Sequence, residues 1–176
     1  MKKNAVLLFL TVMLTLTVEM QLNNLATANF VVYLPYITIK GDGSVEPETE
    51  YISQTGNVYT LTANLTRKYA IKVQCSNITF DGKGHCINGT VSSGGLGYGN
   101  NGLSLVGVTN VTVNNLEVTG FMNNDVSLDN CSKCTIHRVQ ASKVFLEKSN
   151  FNNITENNIG NANLGYVMIC LSNNNI

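Results

Sequence analysis

Apolar and polar residues alternate over runs of only three or four positions through the second half of the chain, and Asn or Gly separates one run from the next. Asn77-Ile78-Thr79-Phe80 aligns with Asn110-Val111-Thr112-Val113, Lys133-Cys134-Thr135-Ile136, Phe151-Asn152-Asn153-Ile154 and Asn173-Asn174-Asn175-Ile176. The apolar anchors Phe80, Val113, Ile136, Ile154 and Ile176 are spaced by 33, 23, 18 and 22 residues. Such spacings match one turn of a stacked-repeat fold. A second anchor follows five residues later, as Val118, Ala141 and Ile159. A helix would scatter these positions over different faces, whereas two short strands joined by a sharp turn return both to one core. Asn pairs favour that turn because Asn tolerates the left-handed conformation and is poor inside helices. The pattern therefore predicts an all-β solenoid of parallel strands, with each repeat pairing above and below its neighbours.

Before Cys75 the template is absent. Residues 30–39, 57–63 and 69–73 alternate like strands, and Lys40-Gly41-Asp42-Gly43-Ser44 turns the chain. A solenoid must cover its first open end, so residues 29–74 are expected to form an amino-terminal β cap and residues 75–176 the coils. Leu171-Ser172-Asn173-Asn174-Asn175-Ile176 begins another coil and stops, which is the pattern of a solenoid truncated at its carboxyl end.

At the amino terminus, Met1-Lys2-Lys3-Asn4 precedes an apolar and hydroxyl run over residues 5–18, and Ala26-Thr27-Ala28 offers small residues for cleavage. This predicts a signal peptide over residues 1–28, since the run is short of the ~20 residues a membrane span needs. A secreted or cell-surface location follows. Charged residues are 12% and the net charge is zero, which argues against nucleic acid as a partner and against docking on an anionic membrane. All five cysteines fall after the signal. Cys131 and Cys134 make a Cys-x-x-Cys, but Cys134 takes a slot filled elsewhere by Ile or Val, so a buried apolar role is expected. With two histidines and no ligand spacing around them, no metal and no cofactor is expected.

The stretch Asn77-Ile78-Thr79-Phe80-Asp81-Gly82-Lys83-Gly84-His85-Cys86-Ile87-Asn88-Gly89-Thr90 resembles the Asp-Gly-x-Gly-x-x-Ile-x-Gly coil of right-handed parallel β-helix proteins. The likeness is to secreted and surface proteins of archaea and bacteria with carbohydrate-binding and sugar-hydrolysis type repeats, some of them pectate-lyase-like. It implies a right-handed β-helix and a function at the cell envelope, and it leaves activity open because the fold hosts many functions. The resemblance implies clustered Asp residues with Gly-His-Gly for a polygalacturonase type, or an acidic cluster with an Arg base for a lyase type. Here only Asp125, Asp129 and Arg138 are available as catalytic candidates, and Gly84-His85-Cys86 departs from the histidine motif. The long first interval carries a Gly-rich excursion over residues 92–102, which lacks the Lys-Ser ending of a phosphate loop. Insertions of this kind carry binding faces, so Tyr98, Asn100 and Asn101 are the candidate ligand-binding residues. The expected function is an envelope module that binds polysaccharide or a partner protein; the alternative is a fragment of a pectin-degrading lyase or hydrolase. Sequons at Asn64, Asn77, Asn88, Asn110 and Asn153 follow the repeat template itself, so few are expected to carry glycans.

Overall fold

The structure is a computed structural model that describes residues 36–66, 70–89, 101–121, 123–160 and 165–176. The described residues form strands and no helix, hence no helix long and apolar enough to cross a membrane. In chain order the strands are β1 (Tyr36–Ile39), β2 (Val45–Glu46), β3 (Ile52–Thr55), β4 (Val58–Leu61), β5 (Leu65–Thr66), β6 (Ala70–Val73), β7 (Thr79–Asp81) and β8 (Cys86–Asn88). They continue as β9 (Leu103–Val106), β10 (Thr112–Thr119), β11 (Val126–Asp129), β12 (Thr135–Ala141), β13 (Lys143–Glu147), β14 (Asn153–Thr155), β15 (Asn158–Ile159) and β16 (Tyr166–Cys170).

Two sheets result. One has the order β16-β13-β11-β9-β6-β1-β2, and the other runs β14-β12-β10-β7-β4-β3 with β15, β8 and β5 beside that path. Pairing is parallel except at β1–β2 and β3–β4, which are antiparallel and end the sheets on the amino-terminal side. The register carries the sequence repeat: Phe80 pairs with Val113, Val113 with Ile136 and Ile136 with Ile154. The second anchors align as well, Ile87 with Val118, Val118 with Ala141 and Ala141 with Ile159. Inward side chains from both sheets merge into one apolar cluster, in which Phe80, Val113, Ile136, Ile71, Leu105 and Leu128 are fully buried. Strands β4, β5 and β6, read from sequence as part of the cap, stack parallel on downstream strands, with Tyr59 on Phe80, Leu65 on Ile87 and Ile71 on Leu103.

Corners recur at equivalent positions. Asn77, Asn110, Lys133, Phe151 and Asn174 all have φ between 53° and 60°, and Asn115, Arg138 and Glu156 between 50° and 54°. Left-handed backbone costs a residue with a Cβ roughly 1–2 kcal/mol, least for Asn, so stacking of the neighbouring strands must hold Lys133, Phe151, Arg138 and Glu156 there. Asp81-Gly82-Lys83-Gly84-His85 lies against the Asn115 corner: Gly82 N–H donates to Asn114 O at 2.9 Å and Gly84 N–H to Asn115 O at 2.7 Å. A Cβ on Gly82 would sit 2.4 Å from the Asn115 carbonyl oxygen. Close approach, in addition to turning, makes this glycine necessary.

One alignment is corrected. Ile176 N–H donates to Asn152 O, and Phe151 N–H to Asn173 O, so Ile176 stands beside Asn153 and not beside Ile154. Ile176 is 86% exposed. The register there is set by polar side chains turned inward: Asn152 N–H donates to Asn175 Oδ1 at 2.9 Å, and Ser149 N–H to Ser172 Oγ at 2.8 Å. The same device operates one repeat earlier, where Asn152 Oδ1 accepts from Cys134 N–H at 2.9 Å and Ser149 Oγ from Cys131 N–H at 3.0 Å. Asn157 Oδ1 likewise accepts from Val139 N–H at 2.8 Å. Several of the Asn residues read as turn formers are therefore interior bridges between repeats.

Candidate functional site

The links from the seven-stranded to the nine-stranded sheet are uniform. Residues 74–78, 107–111, 130–134 and 148–152 each span five positions between β6 and β7, β9 and β10, β11 and β12, and β13 and β14. The return links differ: residues 67–69, 89–102, 120–125, Ser142 alone, and 160–165. With the two additional residues at Gly82–His85, these return links account for the irregular anchor spacing. One flank of the stack is thus constant and the other carries most of the length variation, which is where binding loops accumulate on a rigid scaffold.

A polar network runs along the variable flank, at the starts of β1, β9, β11 and β16. The Tyr36 phenol hydrogen-bonds the Asn101 backbone and the Ser104 hydroxyl; burial pushes its pKa up, and these two bonds partly offset the rise. Asn101 Nδ2 donates to Ser104 Oγ at 3.3 Å, and Asn101 Oδ1 accepts from Asn124 N–H at 3.2 Å and from Asn124 Nδ2 at 3.1 Å. Tyr166 donates its hydroxyl proton to Asn124 Oδ1 at 3.3 Å. The Lys72 ammonium lies 5.6 Å from the centre of the Tyr36 ring, a cation–π distance. Two phenols, two amides and one cation thus line the starts or inner positions of β1, β6, β9, β11 and β16, with β13 contributing none of them.

The structure separates the three catalytic candidates. Asp125 precedes β11, is fully buried, and accepts hydrogen bonds from the backbone N–H groups of Phe121, Ser142 and Lys143 at 3.3, 2.8 and 3.0 Å. It locks the 120–125 link onto the next repeat, helped by Lys143 Nζ donating to Phe121 O. Asp129 ends the same strand about 13 Å away at ~3.3 Å per residue, in register with Val106 and Glu147. Arg138 belongs to the other sheet and pairs with Glu156 at 3.1 Å. Of the ligand candidates, Asn101 joins the network, while Tyr98 and Asn100 lie outside the described residues, as do residues 1–28, for which a signal peptide was expected. Sequence reasoning missed Tyr36, Lys72, Asn124 and Tyr166; Tyr36, Asn124 and Tyr166 stand at or just before a strand start and Lys72 lies within β6, a signal that appears only once the register is known.

Elsewhere, Cys131 and Cys134 are buried and carry no disulfide. Cys131 Sγ lies 3.3 Å from Leu105 O and Cys134 Sγ 3.5 Å from Ser132 O, and the neighbouring Cys134 thiol together with burial pushes the Cys131 pKa up. Among the described residues no three His, Cys, Asp or Glu side chains gather around a point where a metal could sit. Asn64 Oδ1 accepts from Cys86 N–H at 3.0 Å, and Asn110 Nδ2 donates to Asn77 Oδ1 at 3.1 Å, so three sequon amides take part in packing. Comparison of the chain with protein-family models, with curated proteins and with solved structures found no match in any of the three.

Proposed function

We propose that the chain is an exported, right-handed parallel β-helix whose variable flank binds glycans at the cell envelope. The parallel register of the repeats supports the fold, and the short apolar run at residues 5–18 supports export. The observation that carries the binding reading is the Tyr36–Asn101–Asn124–Tyr166 network. Sugar hydroxyls donate and accept at once, and amide and phenol groups match both roles, while aromatic faces cover the apolar faces of sugar rings. Strand spacing of about 4.8 Å sets Asn101 and Asn124 one step apart, close to the length of one sugar residue, and Tyr166 two steps from Asn124. A partner protein could use the same flank. A lyase or hydrolase needs converging titratable groups, and Asp125, Asp129 and Arg138 do not converge.

The protein is incubated with a panel of acidic and neutral polysaccharides, and retention and product release are recorded in the same samples. Retention without release is expected, weakened about tenfold by Asn124→Ala and by Lys72→Ala at ~1.4 kcal/mol for each lost interaction, with unchanged melting. Unaltered retention in both variants would remove this flank from the binding site. Product release abolished by Asp129→Ala would make the protein an enzyme instead.

A further inference from the structure

The five-residue links of the constant flank share one corner geometry. Left-handed backbone turns the chain at their first and fourth residues, Asn130 and Lys133 at φ 53° and 55° in the third link, Lys148 and Phe151 at 48° and 58° in the fourth. The second and fifth residues then face the interior, as Val108 and Val111, Cys131 and Cys134, or Ser149 and Asn152, each at most 1% exposed. Only the link 130–134 has a thiol at both inward positions; Cys75 shares its corner with Ile78. Each sulfur lies among carbonyls of its own repeat and the preceding one, Cys131 Sγ at 3.3 Å from both Asp129 O and Leu105 O, Cys134 Sγ at 3.5 Å from Ser132 O and 3.8 Å from Val108 O. Thiols are weak donors, so these contacts hold the pair lightly. Ser149 Oγ, in the position of Cys131 one repeat on, donates to Glu147 O at 2.8 Å. Each thiol also shifts the titration of the other, as neighbours do.

We propose that Cys131 and Cys134 are a disulfide-forming pair, closed by a small-molecule or protein disulfide as the chain folds, and that the bridge staples the 130–134 corner. One Cys thiolate attacks the oxidant's disulfide, forming a mixed disulfide and releasing one thiolate. The second Cys sulfur attacks that mixed bond, expels the other half of the oxidant and closes the ring. Two protein thiols are oxidised, one external disulfide is reduced to two thiols, and the two Cys protons pass to the departing thiolates. Other pairings are out of reach. Cys75 and Cys131 share a column with Val108 between them, and two strand spacings set them about 10 Å apart, beyond the ~7 Å between Cα atoms that a bridge spans. Cys86 alternates with buried Ile87, and Cys170 with Ile169, so both face outward on different sheets. Burial sets the timing: oxidant reaches Cys131 and Cys134 before the neighbouring repeats stack, and stacking then shields the bridge from reductant. The staple falls where the interior changes from Val to the hydrogen-bonded Ser149 and Asn152. Oxidants of this class persist outside the cytoplasm. That the chain meets them there rests on the export reading, and purified protein with added oxidant tests the bridge separately from export.

The protein is unfolded with reductant, refolded in a glutathione buffer rich in the disulfide form, alkylated in denaturant and mapped by peptide mass. One internal bridge between Cys131 and Cys134 is expected, with Cys75, Cys86 and Cys170 recovered as thiols or glutathione adducts. Dithiothreitol should reduce that bridge at least about tenfold more slowly in the folded protein than in denaturant, because the reductant must await local opening. Cys131→Ser, which places the residue of the next corner in this column, should keep the parent's circular dichroism spectrum and form no internal bridge, while Cys75→Ser should keep the bridge. Refolded protein without a 131–134 bridge, a bridge between any other two cysteines, or a bridge reduced equally fast in the folded and unfolded protein would overturn the proposal.

Discussion

Gly82 and Asn152 show what single residues contribute to the register. A methyl group on Gly82 would collide with the Asn115 carbonyl and with Leu116, whose Cα and Cβ both lie 2.8 Å from it. Gly82→Ala should destabilise the fold by about 1–3 kcal/mol, the usual cost of overpacking, visible as a melting point several degrees lower. Beside it, Asp81 is held below the ordinary carboxylate range: burial pushes it up, but the Lys83 N–H at 3.0 Å, the Lys83 ammonium and the Asn115 amide outweigh that push. A carboxylate with a depressed folded pKa adds stability above its unfolded value near 3.9, and that stability disappears as pH falls through the folded value. Asp81→Asn should therefore flatten the acid limb of a stability profile below about pH 4 and leave its shape near neutrality unchanged. An acid limb identical in the two proteins would remove Asp81 from the linkage. The Gly82 collision was latent in the Asp-Gly-x-Gly motif, whereas the inward Asn152, 1% exposed, was not. Composition alone gives Asn at a turn and Asn inside a bridge the same appearance, because both roles draw on its short amide.

At the level of elements, the five-residue links at 74–78, 107–111, 130–134 and 148–152 set which residues face inward. Inserting one residue after Thr109 would move Val111 and Val113 to the outer face of β10 and turn Thr112 inward. Loss of cooperative melting is expected, while a Gly-Ser insertion between residues 94 and 95, within the long 89–102 link of the sequence, should melt like the parent. Equal tolerance of both insertions would contradict the division into a constant and a variable flank. The anchors Phe80, Val113, Ile136 and Ile154 were readable because apolar residues repeat across parallel pairs. The last alignment slipped by one residue because the final repeat places Ser172 and Asn175, not an apolar anchor, in the ordering positions. The strands β4 to β6 escaped the template for a related reason: Tyr59, Leu61, Leu65, Ile71 and Val73 fill the same inward columns, but the turn residues between them differ.

Across the whole described chain, a single apolar cluster runs from Ile37 to Leu146 and changes character at its carboxyl end, where Ser149, Asn152 and Asn157 replace Val and Cys in the interior. Each of those side chains satisfies a backbone group of the preceding repeat, so the interior stays hydrogen-bonded while it becomes polar. The flank that carries Asn101 and Asn124 was anticipated only at Asn101, because its other members converge through stacking and not through sequence proximity. Everything proposed for this protein depends on parallel, in-register stacking. The most direct measurement is the set of interstrand nuclear Overhauser contacts linking Thr79, Thr112, Thr135 and Asn153. Amide-to-α-proton contacts that step through these four residues in order, as the register of β7, β10, β12 and β14 requires, are the expected result. Short α-to-α contacts between these strands, the mark of antiparallel pairing, or contacts shifted by one residue would contradict it.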